Sequence, residues 1–311
     1  MIGVYKKLDK YDPTHTTSLR NRFARQMRKR FDFLYSLVRK AIVVDDCFAL
    51  KEEKNLLTMV GEAGLTPGHR AYEFMTSQEK LQAFMEWIRE QEKRHVLQVT
   101  RIPQLGSARE EAWTNLYIDS AYRAGVARAR EQMGMLPSLA GKIGEAPVSF
   151  LGPFHMDRVG LLYLRVFTDL QGITEAMDTL ISRALAQGMA EGRNPRQIAQ
   201  IMNKIITGGG GDLSMTDTLG RFIPAKRRAE ILARTEIIRA HHLATIQEYR
   251  NFGVLGVKVK AEWRTAGDDR VCDECAEMEG KIFTLDEIEF MIPAHPQCRC
   301  IALPLDVTDQ K

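Results

Sequence analysis

Four of the five cysteines in this chain, Cys272, Cys275, Cys298 and Cys300, fall close together near the C-terminal end, and only Cys47 lies elsewhere. That clustering restricts the fold more than any other feature, because two separated segments must return to one point. Thiolates two residues apart bend around a single ion, since the intervening turn aims both sulfurs and several backbone N–H groups inward. Cys272-Asp273-Glu274-Cys275 has this spacing. In an extended segment Cys298 and Cys300 project from one face while Arg299 points away, and His295 stands one turn upstream. A structural zinc site takes four ligands tetrahedrally and favours sulfur and imidazole. Cys272, Cys275 and Cys298 are the firm three; the fourth is His295 or Cys300, and the sequence leaves that choice open. Disulfides, reduced buried thiols and a redox CxxC are the competing readings. No βαβ pattern surrounds the CxxC to support the last, and so many soft ligands suggest no open position for a catalytic zinc.

The flanks of the cluster read as short strands. Val257, Val259, Ala261, Trp263 and Thr265 alternate with Lys258, Lys260, Glu262 and Arg264, the period of a half-buried strand, and Gly267-Asp268-Asp269 turns the chain. Lys281 to Leu285 and Ile301 to Leu305 supply two more, with Pro304 placing the last at an edge. A sheet this small has little core, so closing its long loop with a metal is expected to hold it together, with roughly 10 kcal/mol or more on an apparent scale.

The rest of the chain reads as helical. Arg20, Arg22, Arg25, Arg28, Lys29, Arg30, Arg39 and Lys40 are opposed in their span only by Asp32, and Phe23, Met27, Phe31, Leu34 and Val38 recur at helical spacing. This is a basic amphipathic helix whose charge faces solvent, phosphate or an acidic protein surface. Residues 56–69, with Gly61, Gly64, Pro67 and Gly68, read as a loop or broken helix. Thr76-Ser77-Gln78-Glu79 is a capping box, and Ser107-Ala108-Arg109-Glu110 is a second, expected to open a long helix that stops at Gly134. Pro137, Gly141, Gly144 and Pro147 mark a connection. Helical periodicity resumes from His155 to Ala186 with a break expected near Gly172, Asn194-Pro195 starts another helix, and a further one covers Ala225 to Tyr249. Gly208 to Gly211 lacks the Lys-Ser/Thr ending of a phosphate loop and reads as a flexible tip. His241 and His242 diverge by about 100° on a helix, so a shared metal is not expected.

The fold class is therefore α+β: a mostly helical body with a small C-terminal zinc-stapled antiparallel β module. The formal charge of +4 is mild, so any nucleic-acid contact must come from local patches. No apolar run approaches the length of a membrane span, and the first residues lack the apolar stretch of a signal peptide, so a cytoplasmic product is expected.

Arg234-Thr235-Glu236, Trp263-Arg264-Thr265, Asp268, Arg270-Val271-Cys272, Cys275, Gly280 and Pro293 through Cys300 together resemble the Mu F-like head morphogenesis domain of tailed bacteriophages. The likeness is strong over 198–305, general by helical layout over 112–197, and carries nothing earlier. It implies a minor head protein of the virion, at the capsid interior or portal vertex and in the host cytoplasm during assembly. Its implied partners are the portal and head or scaffold proteins, with double-stranded DNA a further candidate through Arg22, Arg25, Arg28, Lys29 and Arg30. Arg234, Glu236, Trp263, Asp268 and Arg270 are then structural motif residues, and Zn2+ held by four of Cys272, Cys275, His295, Cys298 and Cys300, the fourth being His295 or Cys300, has a folding role. The expected divisions are an N-terminal helical region, 1–106, a helical docking region, 107–197, and the Mu F-like domain, 198–311. Some members carry a toxin domain after the cysteine-rich end; with the chain stopping at Lys311, none is expected here, and no enzyme activity is expected. The rival readings are a zinc-dependent nuclease or hydrolase, using Asp268, Asp269, His295 or Glu236 as acid–base groups, and a plain DNA-binding module.

Overall fold

A computed structural model describes residues 12–48, 50, 77–104, 107–136, 139, 153–208, 223–253 and 257–307. The loop expected at 56–69, Thr76 of the first capping box, the connection around Gly141 to Pro147 and Gly209-Gly210-Gly211 lie outside the described residues. The chain divides into two compact units, one formed by Met1–Arg25, Ala112–Thr168 and Ile231–Lys311, the other by Gln26–Glu111 and Asp169–Glu230. The architecture is the expected mostly helical α+β fold with a small antiparallel sheet at its C-terminal end.

The elements run in order as α1 (Thr17–Arg39), α2 (Ser77–His95), β1 (Val99–Gln104), β2 (Ser107–Ala112), α3 (Asn115–Gly134), α4 (Pro153–Ala190), α5 (Pro195–Ile206), α6 (Ala225–Gly253), β3 (Val259–Arg264), α7 (Asp273–Met278), β4 (Ile282–Phe283), α8 (Leu285–Ile288) and β5 (Ile301–Asp306). A π-helical turn, Lys40–Val44, extends α1. The apolar stripe read along α1 is its buried face: Phe23, Met27, Phe31, Leu34 and Val38 are all fully buried. Asn194 caps α5 as read, its side chain accepting from the Gln197 N–H at 3.0 Å while Gln197 reaches back to the Asn194 N–H.

Two expectations are corrected. Ser107-Ala108-Arg109-Glu110 opens no helix: it lies in β2, which pairs with β1, and α3 begins only at Asn115. Val99 and Thr100 in β1 favour extended backbone, and strand pairing across the hairpin overrides the local capping preference. The break near Gly172 is absent, since α4 runs unbroken from Pro153 to Ala190. A single glycine weakens a helix by only about 1 kcal/mol, and buried Leu170, Ile173 and Met177 span the position.

In the first unit, α6 from Ile231 onward is buried nearly all round, which is why its periodicity gives no single apolar face. Ile238, Ile246, Tyr249 and Phe252 meet Ala129 and Met133 of α3 and, on the sheet side, Ala261, Trp263 and Ala302. The sheet order is β4-β3-β5, both pairs antiparallel, so Pro304 sits on an edge strand as expected. The Tyr249 hydroxyl donates to the Ala302 carbonyl at 3.2 Å and meets the Gln132 side chain, tying α6 to β5 and α3.

The α3–α6 crossing depends on Gly125. A β-carbon there would collide with the His241 carbonyl oxygen and lie 2.8 Å from Ala244 Cβ. Backbone cannot yield as a side chain does, so Gly125→Ala is expected to cost about 3 kcal/mol, the upper end for overpacking. The check is the urea midpoint of the variant, and an unchanged midpoint would show that the helices slide apart freely.

Candidate metal centre

The five ligand candidates converge. Cys272 precedes α7 in extended conformation and its Sγ accepts from the Cys275 N–H at 3.4 Å, so the first turn of α7 folds the CxxC around one point. The second half arrives through a sharp reversal in which Gln297 adopts a φ of 63° and the Cys298 N–H donates to the His295 carbonyl at 3.1 Å. His295 Nδ1 lies 2.9 Å from the Pro296 carbonyl, so Nδ1 carries the proton and Nε2 presents its lone pair. That Nε2 stands 3.2 Å from both the Cys272 and Cys275 sulfurs, and Cys275 Sγ is 3.9 Å from Cys298 Sγ.

The ligand atoms form two triads, Cys272–Cys275–His295 and Cys275–Cys298–Cys300, each within 4.8 Å and sharing Cys275. Tetrahedral zinc–thiolate bonds of about 2.3 Å place sulfurs about 3.7 Å apart, so the spacing and the sulfur–imidazole donor set suit a metal ion. All five cysteines are free thiols, and among the described residues no carboxylate joins either triad. Burial pushes the Cys275 thiol up to about 12. Cys298 is lowered by the hydrogen bond with Cys300 and by backbone N–H groups, while Cys300 is raised by the same hydrogen bond and by burial.

Around this cluster Asp268 clamps the two halves. Its oxygens accept from Arg299 Nη1 and Nη2, both at 2.6 Å, and from Arg270 Nη2 at 2.9 Å. Arg270 directly precedes Val271 and the CxxC, and Arg299 lies between Cys298 and Cys300. The Arg299 hydrogen bonds hold the Asp268 carboxyl well below the usual carboxylate range. A depressed carboxyl contributes stability that is fully present above its unfolded value, near pH 4, and is lost as pH falls below it. Asp268→Asn is therefore expected to cost about 3 kcal/mol at neutral pH by stranding a largely buried guanidinium. It should also flatten the acid limb below about pH 4, which thermal melts across pH would show.

The other predicted residues fall in different surroundings. Trp263 is 1 % exposed in β3 and packs in the core. Glu236 pairs with Arg239 at 3.0 Å and Arg165 at 3.4 Å rather than with the metal loop. Arg234 has an Nε that is buried without a hydrogen-bond partner. Asp269 is exposed. On α1, Arg22, Arg25, Arg28 and Lys29 are exposed; Arg28 pairs with Glu230 at 3.0 Å, and Arg30 donates to the His95 carbonyl and to Gln98. Sequence reasoning gave Thr235 and Arg299 no role of their own. Thr235 Oγ1 accepts from the Gln297 N–H at 3.0 Å and so pins the second ligand loop to α6. The position of Arg299 between two ligands was the available signal for the clamp, whereas Thr235 was marked only as the middle residue of Arg234-Thr235-Glu236. His241 and His242 are buried on α6 outside both triads.

Residues 179–303 match the family model described as Phage Mu protein F like protein. Comparison with curated proteins and with solved structures gives no match. The matched stretch takes in the C-terminal end of α4, all of α5 and α6, the three-stranded sheet as far as Leu303, and every residue of both triads. The match over that stretch supports a Mu F-like phage head morphogenesis protein.

Proposed function

We propose that this protein is a minor head protein of a tailed bacteriophage that docks on the portal and assists head assembly and DNA packaging or delivery. The single observation carrying the reading is that the family match encloses the whole metal-ligand constellation and its clamp. Zinc at Cys272, Cys275, Cys298 and His295 or Cys300 acts as a staple. When bound it supplies cross-links between α7 and the segment leading into β5, and Asp268, Arg270, Arg299 and Thr235 hold those segments in register for it. Catalysis is disfavoured by the same residues: Asp268 is committed to two guanidiniums, and Glu236 to Arg165 and Arg239. Among the described residues no helix is long and apolar enough to cross a membrane.

The test is immunoblotting of purified heads, with and without tails, followed by capture of the purified portal on the immobilised protein. Presence in heads and retention of the portal is the expected result; absence from heads purified before and after packaging would overturn the reading. A DNA contact is testable separately. Arg22, Arg25 and Lys29 are exposed and make no ion pair among the described residues, so replacing them with glutamine is expected to weaken duplex binding and lower its salt dependence.

A further inference from the structure

Beside the metal centre an open cleft of about 480 Å³ is walled by α7 on one side and by the segment 290–294 on the other. Trp263 contributes to its lining from β3. Three features of this cleft have no partner among the described residues. Phe290 is 75 % exposed at its edge, beside the half-buried Met278 and Met291. Glu274 and Glu277 are exposed on successive turns of the opposite wall, and neither has an ion-pair partner among the described residues. The Trp263 indole Nε1 is buried and has no hydrogen-bond acceptor among the described residues, an arrangement that costs free energy until something supplies one.

We propose that this cleft docks a partner polypeptide segment in which an apolar side chain is flanked by lysine or arginine. The apolar side chain packs on Phe290, Met278 and Met291, the cations face Glu274 and Glu277, and a backbone carbonyl accepts from the Trp263 indole N–H. The paired carboxylates favour a basic peptide and disfavour nucleic acid, whose phosphates they repel. An exposed aromatic beside a buried indole is the composition of an interface anchor. The position also ties docking to the metal centre. Glu274 lies between Cys272 and Cys275, and Ala294 directly precedes His295, so a metal held by those residues fixes the separation of the two walls. The inference deepens the docking role proposed above and rests on it only for the assembly to which the basic segment belongs.

The test uses the full-length, zinc-replete chain and two blocked heptapeptides, one alternating leucine with arginine, the other alternating leucine with glutamate. The readout is the Trp263 indole N–H resonance. The expected result is a saturable shift with the arginine peptide and none with the glutamate peptide. Both Glu274→Gln/Glu277→Gln and Phe290→Ala, at exposed positions where folding is not at risk, are expected to weaken the arginine peptide about tenfold. No shift at millimolar peptide, an equal shift with the glutamate peptide, or unchanged affinity in both variants would overturn the proposal. The two readings fail separately: a protein found in heads but silent to the peptide loses only the cleft, and one that binds the peptide but is absent from heads loses only the head assignment.

Discussion

Removing metal from the purified chain is expected to melt the C-terminal sheet and the loops that lead into it. Elemental analysis before treatment should give about one zinc per chain, and a chelator at neutral pH should remove it together with the corresponding thermal transition. The size follows from how little else holds this part. The strand β4 is two residues long, and the segments carrying the ligands are mostly loops and single helical turns. Metal sites of this donor type contribute roughly 10 kcal/mol or more on an apparent scale. Cys275 belongs to both triads, so Cys275→Ser is expected to be the most damaging single change. Cys47 is buried in the other unit, its thiol pushed up to about 12 by burial, and Cys47→Ser should leave zinc content unchanged. Comparing His295→Ala with Cys300→Ser identifies the fourth ligand, since only the true ligand lowers zinc content. Full zinc and an unshifted melt in Cys275→Ser would remove the metal centre altogether.

Acid is expected to weaken the same unit well above the pH at which carboxylates titrate. His241 and His242 are buried side by side on α6, and burial lowers them from an ordinary 6.5 to about 3 and about 4. His242 Nε2–H donates to the Ile288 carbonyl at 3.0 Å, while His241 Nε2 has no partner among the described residues. For a base whose folded value is depressed, the unfolded chain binds the extra protons, so stability is fully present above about pH 6.5 and falls as pH drops toward the folded values. Each imidazole adds a slope approaching 1.4 kcal/mol per pH unit, as an order of magnitude, so between about pH 6 and about pH 4.5 the pair removes on the order of 3 kcal/mol. Denaturation midpoints across that window provide the check, with zinc content followed in parallel to separate metal loss. His241→Leu removes an unpaired buried imidazole without leaving a partner stranded. It should therefore be neutral or stabilising at neutral pH and halve the slope; an unchanged slope would show that the histidines are already protonated in the folded chain.

Much of the centre was legible because its determinants are local. The CxxC turn, the alternating strand around Trp263 and the edge position required by Pro304 each follow from spacing or from a missing backbone donor, and the structure has all three. The Asn194 cap of α5 was readable for the same reason, since its donor and acceptor lie within four residues. The box at Ser107 carried an equally good local signal and misled, because strand pairing with residues 99–104 satisfies the backbone more completely than a cap does.

By itself, then, the sequence determined that a cysteine–histidine cluster able to hold a metal lies beside a small sheet on a helical body, because ligand spacing and strand period are properties of short segments. Only the tertiary structure decided how the knot is held. Asp268 reaches Arg299 across the loop, Thr235 on α6 receives Gln297, and Gly125 admits α6 against α3. Each joins residues far apart in the chain, and the partner of a buried charge or of a bare helix backbone is chosen by packing in three dimensions, which no local pattern encodes.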